Sequence, residues 1–224
     1  MNILNGISAY LESGVKIKYK GRAIVMVITY HGENYVKAAA GSLVFLVDPT
    51  DERSFRSAKF VLFTESPPPL MKGEGTENLL ARREPLLIAD AGEYEVEGVR
   101  IAGYRTGIRG ETSHLAYRVT MENLSLVFLG HLTELPDQKT ASEFADADIL
   151  FVPGGGAPWL KETDAAKLVR QLEPGIIIPT LVGNRACERF VKELDAQPGA
   201  PTDKLTLKKK DVVPKAMAVT CLTA

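Results

Sequence analysis

Residues 59–64, Lys-Phe-Val-Leu-Phe-Thr, form an apolar run of β-favouring side chains with the length of a buried strand. Glu65 and Ser66 follow, and then three consecutive prolines, Pro67, Pro68 and Pro69. A proline has no N–H to give a sheet ladder and holds φ near one value, so three in a row must carry the chain out of its sheet. Whatever this chain folds into, a core strand ends here in a stiff loop.

The residues before this point read as a β-meander. Val15, Ile17 and Tyr19 alternate with Lys16, Lys18 and Lys20, as in a strand with one wet face. Apolar strands are expected at 23–30, 34–39 and 43–47, with a helical turn at 51–57. Residues 71–85 carry two glycines and mixed charge and read as a loop with one helical turn. Short strands follow at 86–89, 94–96 and 99–104, and a hairpin joins 114–120 to 124–129. From there the pattern turns to strand–helix alternation, with helices expected at 137–145, 163–172 and 185–194 and strands at 149–152 and 176–179. In the second helix Ala165, Leu168, Val169 and Leu172 share one face. Thr163 or Asp164 can cap its start and Pro174-Gly175 end it.

The order of several landmarks resembles the metallo-β-lactamase superfamily, in particular its branch of small Zn-dependent hydrolases related to the ascorbate-phosphate lactonases. The landmarks are Ile28-Thr29-Tyr30-His31-Gly32, Leu43 to Pro49, Gly92 to Val99, Leu126 to Gly130, Asp148 to Gly156, Gln171 to Pro174 and Ile176 to Pro179. The resemblance runs from about residue 23 to the C-terminus. It implies an α+β fold, a four-layer αββα sandwich formed by residues 1–224 as one domain. Residues 1–20 extend beyond it and are expected to add an edge strand.

In that family the loop after the proline-preceding strand carries His-x-His-x-Asp-His, the ligands of a one- or two-metal site. Aligned on 61–64, those positions here read Glu65, Pro67, Pro69 and Leu70, of which only Glu65 could ligate a metal. The family's bridging aspartate after glycine appears as Gly130-His131, and its late histidine falls on Leu181, after Thr180. Asp48 matches a residue that orders the loop near the site, and its expected task is to accept from backbone N–H groups of its own turn. Zinc needs about three protein ligands even in an open catalytic site. The expectation is therefore a metal-free protein on a hydrolase scaffold, acting by binding a small molecule or protein, or by assembly. The alternative is a hydrolase of small phosphorylated or lactone-type substrates with zinc in a rearranged site.

The candidate cleft residues are Glu65, His114, His131, Asp48 and Thr180. For His131 the competing reading is a structural histidine bonded to a neighbouring carbonyl, and this weighs more for His114. His31 reads as a surface residue. Gly154-Gly155-Gly156 follows a strand, but lacks both the Gly-Lys-Ser/Thr ending of a P-loop and dinucleotide-fold spacing, so it reads as a packing turn. Trp159, the single tryptophan, would cap the cleft or pack on that loop.

A formal net charge of −1 gives no general pull toward nucleic acid or anionic membranes. The run Lys208-Lys209-Lys210 is offset by Asp211 and reads as an exposed strand end. The longest apolar stretch, 23–30, is too short to cross a bilayer. The N-terminus carries no secretory pattern, Cys187 and Cys221 make no disulfide framework, and Cys187 fits a helix core position beside Phe190, Val191 and Leu194. A cytoplasmic location is expected on these grounds.

Overall fold

The computed structural model describes residues 9–10, 16–17, 25–69, 85–183 and 186–224. Strands β1 (Ala9–Tyr10) and β2 (Lys16–Ile17) pair with each other as a separate two-stranded sheet. Then come β3 (Met26–Tyr30), β4 (Val36–Ala40), β5 (Leu43–Val47), a 3-10 turn (Glu52–Ser57) and β6 (Phe60–Leu62). After β7 (Glu65–Ser66) follow β8 (Leu86–Ile88), β9 (Gly92–Val96), β10 (Val99–Arg109), β11 (Thr112–Met121) and β12 (Leu124–Phe128). The remainder is α1 (Gln138–Ser142), β13 (Ile149–Pro153), α2 (Glu162–Leu172), β14 (Ile176–Thr180), α3 (Ala186–Glu193), β15 (Lys204–Leu207) and β16 (Ala218–Val219).

Two large sheets carry the fold. The first has six strands in the order β15-β3-β4-β5-β6-β8, and the second has the order β16-β14-β13-β12-β11-β10-β9, with β7 joined to β11. The alternate buried residues of β3 and β4 face one apolar layer between the sheets, with Phe45, Phe60, Leu115, Tyr117, Phe128 and Phe151. Phe45 stacks on Phe60 and Phe128 stacks on Phe151, while Phe45 meets Phe128 edge-on at 6.0 Å, so the aromatic pairs of the two sheets interlock. A second apolar cluster lies between the outer side of the second sheet and the helices, built on Val127, Leu150, Leu168, Val169, Ile177 and Phe190.

The expected α+β architecture of two packed sheets is present. Over the first sheet the described residues place a 3-10 turn, whose Phe55 packs with Leu46, Val61 and Phe63, rather than an α-helix. The edge beside β3 is filled by β15, from the last part of the sequence. Leu70 and the loop helix expected within 71–85 lie outside the described residues, which resume at Pro85.

Three local readings change. The α2 helix starts one residue before Thr163, and its N-cap is Lys161 without a side-chain cap bond, while Glu173 closes it in the left-handed conformation. The lysine run is a 3-10 turn (Lys209–Asp211), where Lys209 Nζ lies 2.6 Å from both carboxylate oxygens of Asp148. Cys187 and Cys221 are bonded as a disulfide with Cα atoms 6.6 Å apart, which ties α3 to the segment after β16. The sequence left them unpaired because they stand 34 positions apart with two strands between them, and only the fold brings them together. Unpaired cysteines were one ground for the cytoplasmic expectation, and that ground is removed. Among the described residues no helix is long and apolar enough to cross a membrane.

Candidate functional site

The chain leaves the first sheet after Leu62, where the sequence demands it, and at once enters the second. Glu65 pairs with His114 and Ser66 with Ser113, antiparallel, and only then do the prolines begin. This two-residue crossing places Thr64 between the sheets, fully buried, against the ends of two other strands.

The first is the end of β5, where Asp48 sits at φ +45°. Its carboxylate accepts from Thr64 N at 2.7 Å, from the Thr64 hydroxyl, and from Asn34 Nδ2 at 2.5 Å. The donors therefore come from neighbouring strand ends and not from the turn of Asp48 itself, which corrects the expected role. Burial pushes the Asp48 carboxyl above its ordinary range, against the opposing pull of His131 and of the bonds from Thr64 and Asn34.

The second is the end of β12, where Gly130 runs against Thr64 so closely that no side chain would fit. His131 follows, with Nδ1 at 2.7 Å from Thr64 Oγ1 and 3.8 Å from Asp48 Oδ2. Its bonding partner is thus a hydroxyl and not a backbone carbonyl. The Thr64 proton goes to Asp48, so only Oγ1 lone pairs remain for the histidine. In the neutral ring this places the proton of His131 on Nδ1 and leaves Nε2 as an acceptor.

His114 on β11 is 1% exposed, with Nε2 at 3.9 Å from Glu65 Oε1 and no hydrogen-bond partner on Nδ1. Burial lowers its pKa, with Glu65 opposing and His131 and Arg109 adding to the shift, which keeps the ring neutral near pH 7. Trp159 packs against both histidines, with ring centroids 4.7 Å from His131 and 6.1 Å from His114. It is held there by the bond from Leu160 N to Leu132 O at 2.8 Å.

Beside these groups is a cavity of about 330 Å³. Phe63, Pro49 and Pro69 give it apolar walls, and Glu33, Asn34, Asp48, Thr50, Glu65 and His131 supply its polar side chains. Of the proline run only Pro69 lines it, and Leu181 serves elsewhere. Leu181 N donates to Glu33 O at 2.6 Å, and its carbonyl fills the place of a Cβ on Gly155. The triple glycine is thus a close-packing turn between β13 and the end of β14. Thr180 is fully buried, its hydroxyl is unbonded and it does not line the cavity. His31 is exposed and stacks on Tyr35. Asn34 and Thr64 belong to the cluster yet were missed by sequence reasoning, since neither residue type marks a site without its neighbours.

Among the described residues no three His, Cys, Asp or Glu side chains gather as a metal ion requires. Asp48 and the Nδ1 side of His131 are already satisfied by Thr64 and Asn34.

No curated protein sequence matches the chain. Solved structures match it in fold. A Thermotoga maritima protein of the metallo-β-lactamase superfamily shares 20% identity with a TM-score of 0.67, over 88% of this chain and 98% of its own. Igni18, a metallo hydrolase from Ignicoccus hospitalis, shares 12% with a TM-score of 0.62, over 82% and 99%. A diphosphatase of the PhnP family shares 17% with a TM-score of 0.55, over 84% and 98%. The family model for the beta-lactamase superfamily domain matches residues 27–181, most of the chain, and the protein belongs to that superfamily.

Proposed function

We propose that this chain is a metallo-β-lactamase-fold protein that works without the family's metal and uses its cleft to bind a small ligand. The observation that carries the reading is the bond from His131 to Thr64 and on to Asp48. His131, which stands where the resemblance locates the bridging ligand, is bonded through Nδ1 to the protein. Pro67, Pro69 and Leu181 stand at further ligand positions and have no donor side chains. Glu65 and His114, 3.9 Å apart, remain with the open Nε2 of His131, and among the described residues these do not gather into the three-ligand group that a zinc site takes.

Fold does not determine chemistry, so the hydrolase names of structurally similar proteins do not transfer to a site with other residues. The test is metal dependence. A native state that binds metal is stabilised according to affinity and free metal. The expected result is a single melting temperature in EDTA, in untreated buffer and with added zinc, together with less than about one-tenth of a metal per chain by elemental analysis. A melting temperature that drops in EDTA and is restored by zinc would establish the alternative, a hydrolase with a rearranged metal site.

A further inference from the structure

Counting donors and acceptors around the cavity gives a one-sided result. Both Asn34 bonds run inward, to Asp48 and to Thr64 at 3.3 Å. The Thr64 hydroxyl donates to Asp48. His131 uses its proton on Thr64 and keeps Nε2 as an acceptor. Glu65 is a carboxylate that only accepts, and its side chain is 19% exposed. Its histidine neighbour is buried, and no lysine or arginine among the described residues lines the cavity. Glu33 adds a second carboxylate and Thr50 a hydroxyl that can donate as well as accept, so the polar side chains left for a ligand are mainly acceptors, and the charge is negative beside walls of Phe63, Pro49 and Pro69.

We propose that this cleft takes a small cationic ligand, a primary ammonium or guanidinium group carried on an apolar body, with its N–H groups donated to Glu65 and His131. This rests on the metal-free reading above, because a bound metal ion would reverse the local charge and favour anions. Without one, a phosphate or carboxylate entering here would meet Glu33, Glu65 and lone pairs, with the Thr50 hydroxyl as the one side-chain donor left over among the described lining residues. A cation on an apolar body satisfies both the acceptors and the walls. The volume of about 330 Å³ stands at the lower end of the range for small-ligand pockets, about 300–1,000 Å³.

Trp159 supplies the readout, since it is the single tryptophan and touches the ring of His131. The experiment titrates the full chain with benzylamine, agmatine, benzoate and phenyl phosphate in EDTA, following Trp159 fluorescence and confirming each hit by calorimetry. At least one of the two cations is expected to bind about tenfold or more tighter than either anion. Glu65→Gln, checked for an unchanged melting curve, should lose that preference about tenfold. His131→Gln provides a second variant should Glu65→Gln not fold, and it should also weaken cation binding. Anions binding as tightly as cations, no cation binding at all, or affinity unchanged in a folded variant would each overturn the proposal. Repeating the series with zinc separates the two readings. If zinc raises the melting temperature and brings in phenyl phosphate, the metal-free reading falls too; without such a response, only the ligand assignment falls.

Discussion

A Cβ built on Gly130 would stand 2.3 Å from the Cβ of Thr64, with the glycine held at φ +60°. Both the contact and the backbone conformation exclude a side chain, and the contact joins a strand end of one sheet to the point where the chain crosses from the other. Gly130→Ala must therefore push the His131 strand end away from Thr64 and bear a left-handed alanine. The expected cost is about 3 kcal/mol or more, from overpacking and φ strain together. Urea denaturation of the variant checks it, and a loss below about 1 kcal/mol would show that the two strand ends are not held against each other.

Thr64→Val keeps the shape and removes the hydroxyl. Asp48 then loses a donor while largely buried, its side chain 12% exposed, and His131 Nδ1 loses its acceptor. A buried carboxylate left short of a donor makes a loss of about 2–4 kcal/mol the expected outcome, while Thr64→Ser should stay within about 1 kcal/mol of wild type. Two equal variants in a denaturant series would mean that the methyl group, and not the hydroxyl, matters here.

The raised pKa of Asp48 makes a pH prediction with a definite sign. The native chain takes up this proton at a pH where the unfolded chain has already lost it, so ionised Asp48 opposes folding at neutral pH. That opposition is relieved as the pH falls through the raised native value toward the ordinary carboxylate range. Relative to Asp48→Asn, which has no such group, the wild type should gain stability from pH 8 to pH 5. Chemical denaturation of both proteins at several pH values measures the difference, and a gap that is constant or moves the other way contradicts the assignment.

The disulfide between Cys187 and Cys221 closes a loop with a sequence separation of 34. Loop-closure entropy for such a loop is on the order of 3–4 kcal/mol, before any strain is subtracted. For a chain of this size each kcal/mol moves the melting temperature by about 2–4 °C. Reduction by dithiothreitol should therefore lower it by roughly 5–15 °C, and Cys187→Ser should do the same without reductant. Mass spectrometry of the alkylated, unreduced protein reads the pairing directly: two free thiols would show that the bond does not form.

Much of the sheet architecture was legible in the chain because it rests on local signals. The run at 59–64 and the prolines after it marked a strand end, and the structure has Phe60–Leu62 followed by the crossing at Glu65–Ser66. The apolar face of Ala165, Leu168, Val169 and Leu172 marked α2, whose four residues are all buried. What escaped depends on contacts far apart in sequence. Nothing near Thr206 announces that it pairs with Val27, and nothing near Lys209 announces Asp148. At the site, His131, Asp48 and Glu65 could be named from their places after strands. Thr64 and Asn34 could not, since a threonine ending a strand and an asparagine in a turn are ordinary until the strand ends meet.

The pairing of β15 with β3 also bears on how the chain is made. During synthesis β3 emerges long before its outer neighbour, Lys204–Leu207, which follows every other strand of that sheet. Until then the growing chain exposes the unpaired edge of an apolar strand, Met26–Tyr30, of the kind that recruits foreign strands. A ribosome that stalls or terminates before residue 204 leaves a sheet that cannot close its own flank. Truncated products should therefore fall to chaperones and proteases, and the arrival of this late strand separates a chain that can be released safely from one that cannot.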